Sequence, residues 1–532
     1  MYAESSLRLL FAYKKGGRMF ALILSILIMQ PQGQIIWSIS GTGGIYNAVS
    51  TDDMNSDQHP DVLAAVYYGA YPSPPIRLYL VSGLDGSTIW TRGDCQGTWG
   101  NKGLATIDDI SGDSIQDFLL GTPGGTFPGS TVFAINGLSG ATIWSWCTYT
   151  QGPNWGWVYT VKPAPDRDYD GYPEVLASAG GNTNNNSGTA FCFSGHTGET
   201  LWTFRPPLDG AQCIGSFVDI NNDTVPEVVV GAGGNGYDNR VFCVNGRNGQ
   251  QIWAYNTGNS VWDVEPFGDA NNNQILDVIA GGWSNKVVCL EGSNGSLIWE
   301  NNLGYVVMEV VPIRDINNDG IMDVIVGSWS SSVYLLSGQN GNILWSCPIG
   351  QDCWSVDTLS DVTGDRIPEV IVGALNGRSV KVLNGISGEV LWYYNFIDRV
   401  YDVTGASDLD GDSISDVLVS LQDQNNQPYQ LYAFKGIPVG MQEKIEPKIA
   451  PKYSIEYKRD EVVLRLKVPE AKKVGYQLLD VSGRIWENSQ PKKSFDGIWY
   501  IHIKRNTKPA GIYFIRLQIE DENSLTVKIY LI

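Results

Sequence analysis

The residues in this chain best suited to chemistry lie in eight short acidic segments: DMNSDQHPD, DISGDSIQD, DRDYDGYPE, DINNDTVPE, DANNNQILD, DINNDGIMD, DVTGDRIPE and DLDGDSISD. Each sets oxygen-bearing side chains at its first, third, fifth and ninth places. In chain order these are Asp53, Asn55, Asp57 and Asp61; Asp109, Ser111, Asp113 and Asp117; Asp166, Asp168, Asp170 and Glu174; Asp219, Asn221, Asp223 and Glu227; Asp269, Asn271, Asn273 and Asp277; Asp315, Asn317, Asp319 and Asp323; Asp361, Thr363, Asp365 and Glu369; and Asp408, Asp410, Asp412 and Asp416. Oxygens at this spacing converge inside a tight loop as a cage for a hard cation. Calcium, which takes roughly six to eight oxygens at about 2.4 Å, suits such a cage better than magnesium, which keeps its waters. A single match is an ordinary polar turn, but eight in register are a repeat.

The charge balance points the same way. Residues 35–440 hold 15 Lys and Arg against 43 Asp and Glu, within a chain of net charge −20. Up to eight Ca2+ ions are therefore expected to act mainly as structure, relieving the repulsion of a self-opposed acidic block. Ligand charge alone ranks the fifth loop, with only Asp269 and Asp277 ionisable, as the weakest and the third and eighth as the tightest. So acidic a block argues against nucleic acid as a partner, since phosphate binding needs a basic surface.

The elements that must hold these loops are short strands. The loops begin 56, 57, 53, 50, 46, 46 and 47 residues apart, and each is followed by an apolar run such as VIVG or VVVG, the pattern of a buried strand. Seven units also carry G-x-x-G-x-x-[IL]-W, ending at Trp90, Trp144, Trp202, Trp253, Trp299, Trp345 and Trp392. Glycines three apart make a hairpin turn, and the strand behind them bears a large aromatic. The eighth unit lacks that strand, while IIWSI, with Trp37, opens the repeat block before any acidic loop. Pairing the two completes the eighth unit and removes an open sheet edge. The expected fold is all-β: an eight-bladed β-propeller closed by its N-terminal strand and followed by a small C-terminal β-sandwich.

The acidic loops resemble FG-GAP or VCBS-type repeats, the calcium-loop propellers of integrin α-chains and many bacterial exported proteins. The turn-plus-tryptophan segments, such as CFSGHTGETLW and VLNGISGEVLW, are similar to the tryptophan-docking motif of quinoprotein (PQQ) dehydrogenase propellers, which implies that these tryptophans pack blade against blade.

Residues seven places before each loop should lie near the opposite mouth of the ring: Tyr46, Lys102, Tyr159, Gln212, Trp262, Met308, Trp354 and Tyr401. Trp283 and Trp329, just past the second strands, belong to the same face. Trp262, Trp283, Trp329, Trp354 and Tyr401, with Tyr46 and Tyr159, are the candidate ligand residues, suited to sugar rings or to a protein; the alternative for them is interblade packing. Trp99, Trp155 and Trp157 could extend that surface. No His-based triad or zinc cluster can be assembled, because His59, His196 and His502 lie in a loop, a turn and the tail. The function expected is a recognition or adhesion scaffold for glycan or protein. A calcium-dependent polysaccharide lyase, drawing on Lys102 or Tyr159, is the alternative; a quinoprotein dehydrogenase is weaker, for want of adjacent cysteines.

Residues 1–34 read as a signal peptide: Arg8, Lys14, Lys15 and Arg18 precede a short apolar run, Met19 to Met29. That run is too short for a membrane-spanning helix, so the mature chain is expected to have no transmembrane span and to be secreted or displayed on the outer cell surface. Residues 35–436 form the repeat block, 437–452 a Pro- and Lys-rich linker, and 453–532 a strand-rich tail. LLDVSGRIW, PAGIYFIRL and VKIYLI in that tail resemble the C-terminal sorting domain of the type IX secretion system, implying secretion machinery as a partner. Cys192, Cys243 and Cys289 fall at equivalent core positions, while Cys347 and Cys353 are close enough in sequence to suggest a disulfide.

Overall fold

The computed structural model describes residues 6–15, 18–27, 32–41, 44–66, 77–95, 97–98, 102–123, 130–148, 156–181, 188–234, 237–422 and 429–437, together with the strands of the tail between 452 and 531. Trp99, Trp155 and most of the linker lie outside the described residues. The chain is all-β, and no described helix is long and apolar enough to cross a membrane.

Among the described residues, eight four-stranded antiparallel sheets follow one another through the repeat block. The sixth is representative: Val307–Ile313, Asp323–Ser328, Ser332–Leu336 and Ile343–Pro348 pair in that order. The acidic segment always joins the first strand to the second, and in the first seven sheets the glycine turn joins the third to the fourth. The eighth sheet is assembled from both ends of the block. Arg399–Ala406, Asp416–Gln422 and Tyr429–Phe434 take their fourth strand from Ile35–Gly41. First strands of successive sheets neighbour one another, and Arg399–Ala406 in turn lies against Ile45–Ser50 of the first. Second strands such as Val228–Gly233 and Asp323–Ser328 are buried throughout, which is why they read as unbroken apolar runs.

The segment read as a leader forms two strands, Ser6–Lys15 and Arg18–Leu27, paired only with each other. The tail forms two further four-stranded sheets, whose Val462, Leu464, Leu478, Trp499, Ile515 and Leu517 share one core.

Cys192, Cys243 and Cys289 are fully buried core residues, as their positions in the repeat require. Cys347 and Cys353 are not bridged; both are free thiols. Cys347 sits on the outermost strand of the sixth sheet and Cys353 begins the innermost strand of the seventh, and both are buried in the core shared by those two sheets.

Candidate functional site

The acidic loops share one backbone form. The fourth and sixth residues of all eight are left-handed, from Ser56 and Gln58 in the first loop to Gly411 and Ser413 in the last. The first Asp holds that form by accepting backbone N–H groups from the far side of the loop: Asp53 takes those of Asp57 and Gln58 at 3.1 and 2.8 Å, and Asp408 those of Asp412 and Ser413 at 3.0 and 2.7 Å. Such side-chain to backbone bonds stabilise the turns that Asp and Asn favour.

The ninth residue does a different job. All eight of these carboxylates are fully buried. Asp323 accepts the N–H of Ile316 at 2.8 Å and that of the turn glycine Gly338 at 3.0 Å; Asp61, Asp117, Glu227, Asp277 and Asp416 make the same pair of bonds to their own second residue and turn glycine. The carbonyl of that glycine then accepts the indole N–H of the preceding sheet's tryptophan, Trp299 to Gly338 at 2.7 Å. The series runs through Trp90, Trp144, Trp202, Trp253, Trp345 and Trp392, and Trp37 on the N-terminal strand supplies the link to Gly83 of the first sheet. A Cβ at Gly338 would sit 1.7 Å from the Met322 carbonyl oxygen, so only glycine fits there. In these six units one residue thus joins the acidic loop to the neighbouring sheet.

Carboxylate oxygens come within 4.8 Å of one another in the third loop (Asp166, Asp168, Asp170, Glu174), the seventh (Asp361, Asp365, Glu369) and the eighth (Asp408, Asp410, Asp416). Burial, with neighbouring carboxylates adding to it, pushes Glu174 up to about 9, Asp416 to about 8 and Glu369 to about 7. In the third loop Glu174 Oε1 takes the N–H groups of both Arg167 and Asp168, whereas its buried Oε2 has no hydrogen-bond partner among the described residues. An orphaned, buried carboxyl oxygen beside three more carboxylates fits a cation.

Ranking the loops by their own charges missed a contribution from outside them. The residue before each turn glycine reaches into the loop, and in the fifth unit that residue is Glu291, which accepts from the side-chain amides of Asn271 and Asn273. The fifth loop therefore regains a carboxylate. In the eighth unit it is Lys435, whose ammonium contacts Asp410 and Asp412. The signal was in the sequence, at the one variable position ahead of a regular glycine.

At the opposite mouth, seven of the eight first strands carry a β-bulge, and the bulged residues are Tyr46, Tyr159, Gln212, Trp262, Met308, Trp354 and Tyr401. A bulge re-aims one side chain out of the ladder, so the position chosen by counting back from the loops is the irregular one. Rings follow in an unbroken line: Trp262 to Trp283 at 6.2 Å, Trp283 to Trp329 at 5.3 Å, Trp329 to Trp354 at 6.0 Å, Trp354 to Tyr401 at 5.4 Å, and Tyr401 stacked on Tyr46 at 3.5 Å between centroids. Trp283 and Trp329 are 39% and 36% exposed, Trp262 and Trp354 half-buried, and Tyr401 and Tyr46 buried in a small cluster with Leu375. The two tyrosines thus form the belt's buried end, and Tyr159 stands apart from it, beside Trp157.

Beneath the belt the same strands carry acids. Lys102 reaches across to Asp263 at 2.5 Å, Glu265 at 3.3 Å and Glu309 at 3.8 Å, and Lys162 meets Glu265 at 2.5 Å. Burial opposes the Glu265 carboxylate, but Lys162 and Lys102 outweigh it and hold it below its usual range. Glu309 is pushed up to about 7 and Asp357 to about 6, chiefly by burial. Asp402, raised by burial and by Glu309, accepts from Asn47 and Ser355, each at 2.9 Å. The three carboxylates around its ammonium raise Lys102 well above a lysine's ordinary value against the cost of burial, so it is held as a charged ammonium.

Repeated four-stranded antiparallel sheets, laid first strand to first strand, define a β-propeller. The chain belongs to the PQQ_2 family, described as outer membrane protein assembly factor BamB, whose model matches residues 128–394, half of its length. Among solved structures it is similar to Sqt1 of Saccharomyces cerevisiae (TM-score 0.55, 9% identity, covering 76% of this chain and 100% of that one). The computationally designed Ika8 protein scores 0.51 at 13% identity, with coverage of 76% and 100%. Quinohemoprotein alcohol dehydrogenase ADHIIG of Pseudomonas putida HK5 also scores 0.51 at 13% identity, with coverage of 80% and 79%. At these identities the likeness is one of fold alone. No curated protein matches the chain in sequence.

Proposed function

We propose that the protein is an exported, calcium-stabilised, eight-bladed β-propeller, carried to the cell surface by a C-terminal β-sandwich sorting domain, that works as a recognition scaffold for other polypeptides. The single observation that carries the recognition reading is the belt from Trp262 to Tyr46, whose exposed rings Trp283 and Trp329 stand side by side. Isolated exposed apolar residues are common; a contiguous aromatic patch is the mark of a binding surface. Membership of a family described as an outer membrane protein assembly factor favours a protein ligand over a glycan.

Calcium, where bound, supplies positive charge to a carboxylate cage. In the third loop Asp166, Asp168, Asp170 and Glu174 would hold it, with Glu174 Oε2 gaining the partner it lacks. In the six loops whose ninth carboxylate reaches the turn glycine, an ion would also tighten the contacts between neighbouring sheets.

Two measurements test the reading. Tryptophan fluorescence is titrated with a panel of extended aromatic-rich peptides and, separately, with a panel of polysaccharides. Quenching by peptides that is lost in a Trp283→Ala/Trp329→Ala double variant of unchanged Tm supports the proposal, and quenching by polysaccharides alone overturns it in favour of a glycan ligand. Chelation of the full chain should lower Tm, and added calcium should restore it; a Tm indifferent to both removes the ions from the account.

A further inference from the structure

The residue before the turn glycine touches the fifth loop residue in every unit. Ser82 and Ser337 meet Asp57 and Asp319 at 2.9 and 3.3 Å, Asn136, Asn245 and Asn384 meet Asp113, Asp223 and Asp365 at 2.6, 2.7 and 3.0 Å, and Ser194 meets Asp170 at 3.5 Å. Six units thus place a neutral hydroxyl or amide there. The fifth brings Glu291 onto Asn273 at 2.7 Å, exchanging which side of the contact is charged. Only the eighth places a cation, Lys435, whose Nζ lies 3.0 Å from Asp412 Oδ2 and also on Asp410 Oδ2.

Resting on the reading that the other loops take calcium, we infer that Lys435 is a tethered cation which fills the eighth loop, so that this loop binds no calcium and the full complement of the ring is seven. A lysine ammonium is a compact point charge with three donors. Held by the chain itself, it needs no recruitment from solution, and a divalent ion sharing Asp410 and Asp412 with it would meet direct like-charge repulsion. The placement is informative. The backbone N–H of Lys435 donates to the Gln34 carbonyl at 2.9 Å, beside the N-terminal strand that completes the eighth sheet, and the next residue, Gly436, accepts Trp392 and donates to Asp416. The sheet assembled from both ends of the block is then the one whose acidic loop closes without metal, so ring closure is independent of the calcium supply.

Native mass spectrometry of the calcium-saturated full chain, with Lys435→Asn and Lys435→Arg variants, tests this. Asn is the residue at this position in the second, fourth and seventh units. The wild type is expected to hold seven ions, Lys435→Asn one more, and Lys435→Arg the wild-type number. In chelator Lys435→Asn should melt below the wild type and recover more on calcium addition. Eight ions in the wild type, or no gain in Lys435→Asn, overturns the inference while leaving calcium binding intact. No ions in any of the three proteins overturns the calcium reading itself, and this inference with it.

Discussion

At the loop end of the ring the units repeat one device with small variations, whereas at the mouth a shared bulge carries side chains that differ from unit to unit. Along the loop end a buried carboxylate, a turn glycine and a neighbouring tryptophan recur sheet after sheet. Around the mouth, aromatics and acids gather on the fifth to eighth and the first units, while lysines come from the second and third. Shared strands therefore carry two different constraints. Regularity marks what closes the ring, and irregularity marks where a ligand could be told apart.

The sharpest way to break the comparison is to remove one regular part. Trp253 is almost fully buried and donates to Gly292 at 2.8 Å. Trp253→Ala should cost about 3–5 kcal/mol by the cavity and the lost bond, read as a fall in the midpoint of denaturant unfolding. If the loop end is as uniform as it looks, Trp299→Ala should cost nearly the same. A large gap between the two would mean that the units are coupled unequally.

Much of this regularity was legible in the sequence, because the constraints are local. Oxygens two residues apart, left-handed turn positions and glycines three apart each leave a fixed spacing, and the missing eighth tryptophan pointed to Trp37. What stayed illegible depends on side chains brought together across the ring. Lys102 and Asp263 are far apart in sequence and meet only when the second and fifth units face each other. Glu291 and Lys435 were legible as residues, but their reach into the loops follows from how the third strand ends. The supposed Cys347–Cys353 bridge is absent although both thiols lie in one core cluster, since a shared core does not supply the geometry a disulfide needs.

A second test strikes the irregular end. Lys102 balances Asp263, Glu265 and Glu309, and Lys102→Met would leave those carboxylates without that charge. The expected loss is about 3 kcal/mol, since breaking a buried ion cluster on one side leaves uncompensated charge. Calcium should not rescue it, whereas it should partly rescue defects at the loop end.

The smallest expected effect separates the two ends by pH. Glu309 faces Lys102, Asp263, Glu265, Asp357 and Asp402, and its pKa, pushed up by burial to about 7, lies above its unfolded value near 4.5. Below pH 4.5 both states are protonated and the group is neutral to stability. Between 4.5 and 7 the unfolded chain gives up a proton that the folded chain retains, so stability falls as pH rises through that window, and Asp357 and Asp402 shift in the same sense. In saturating calcium, where the carboxylates of the ion-filled loops are held ionised, Glu309 should be one of the main sources of that decline at the mouth. Glu309→Gln removes the titrating group but keeps an oxygen for the Val356 N–H, which Glu309 now accepts at 3.0 Å. The variant should lose about 1–2 kcal/mol of the decline between pH 5 and 7. An unchanged slope would return the pH dependence to the loops and leave the mouth electrostatically no different from the rest of the ring.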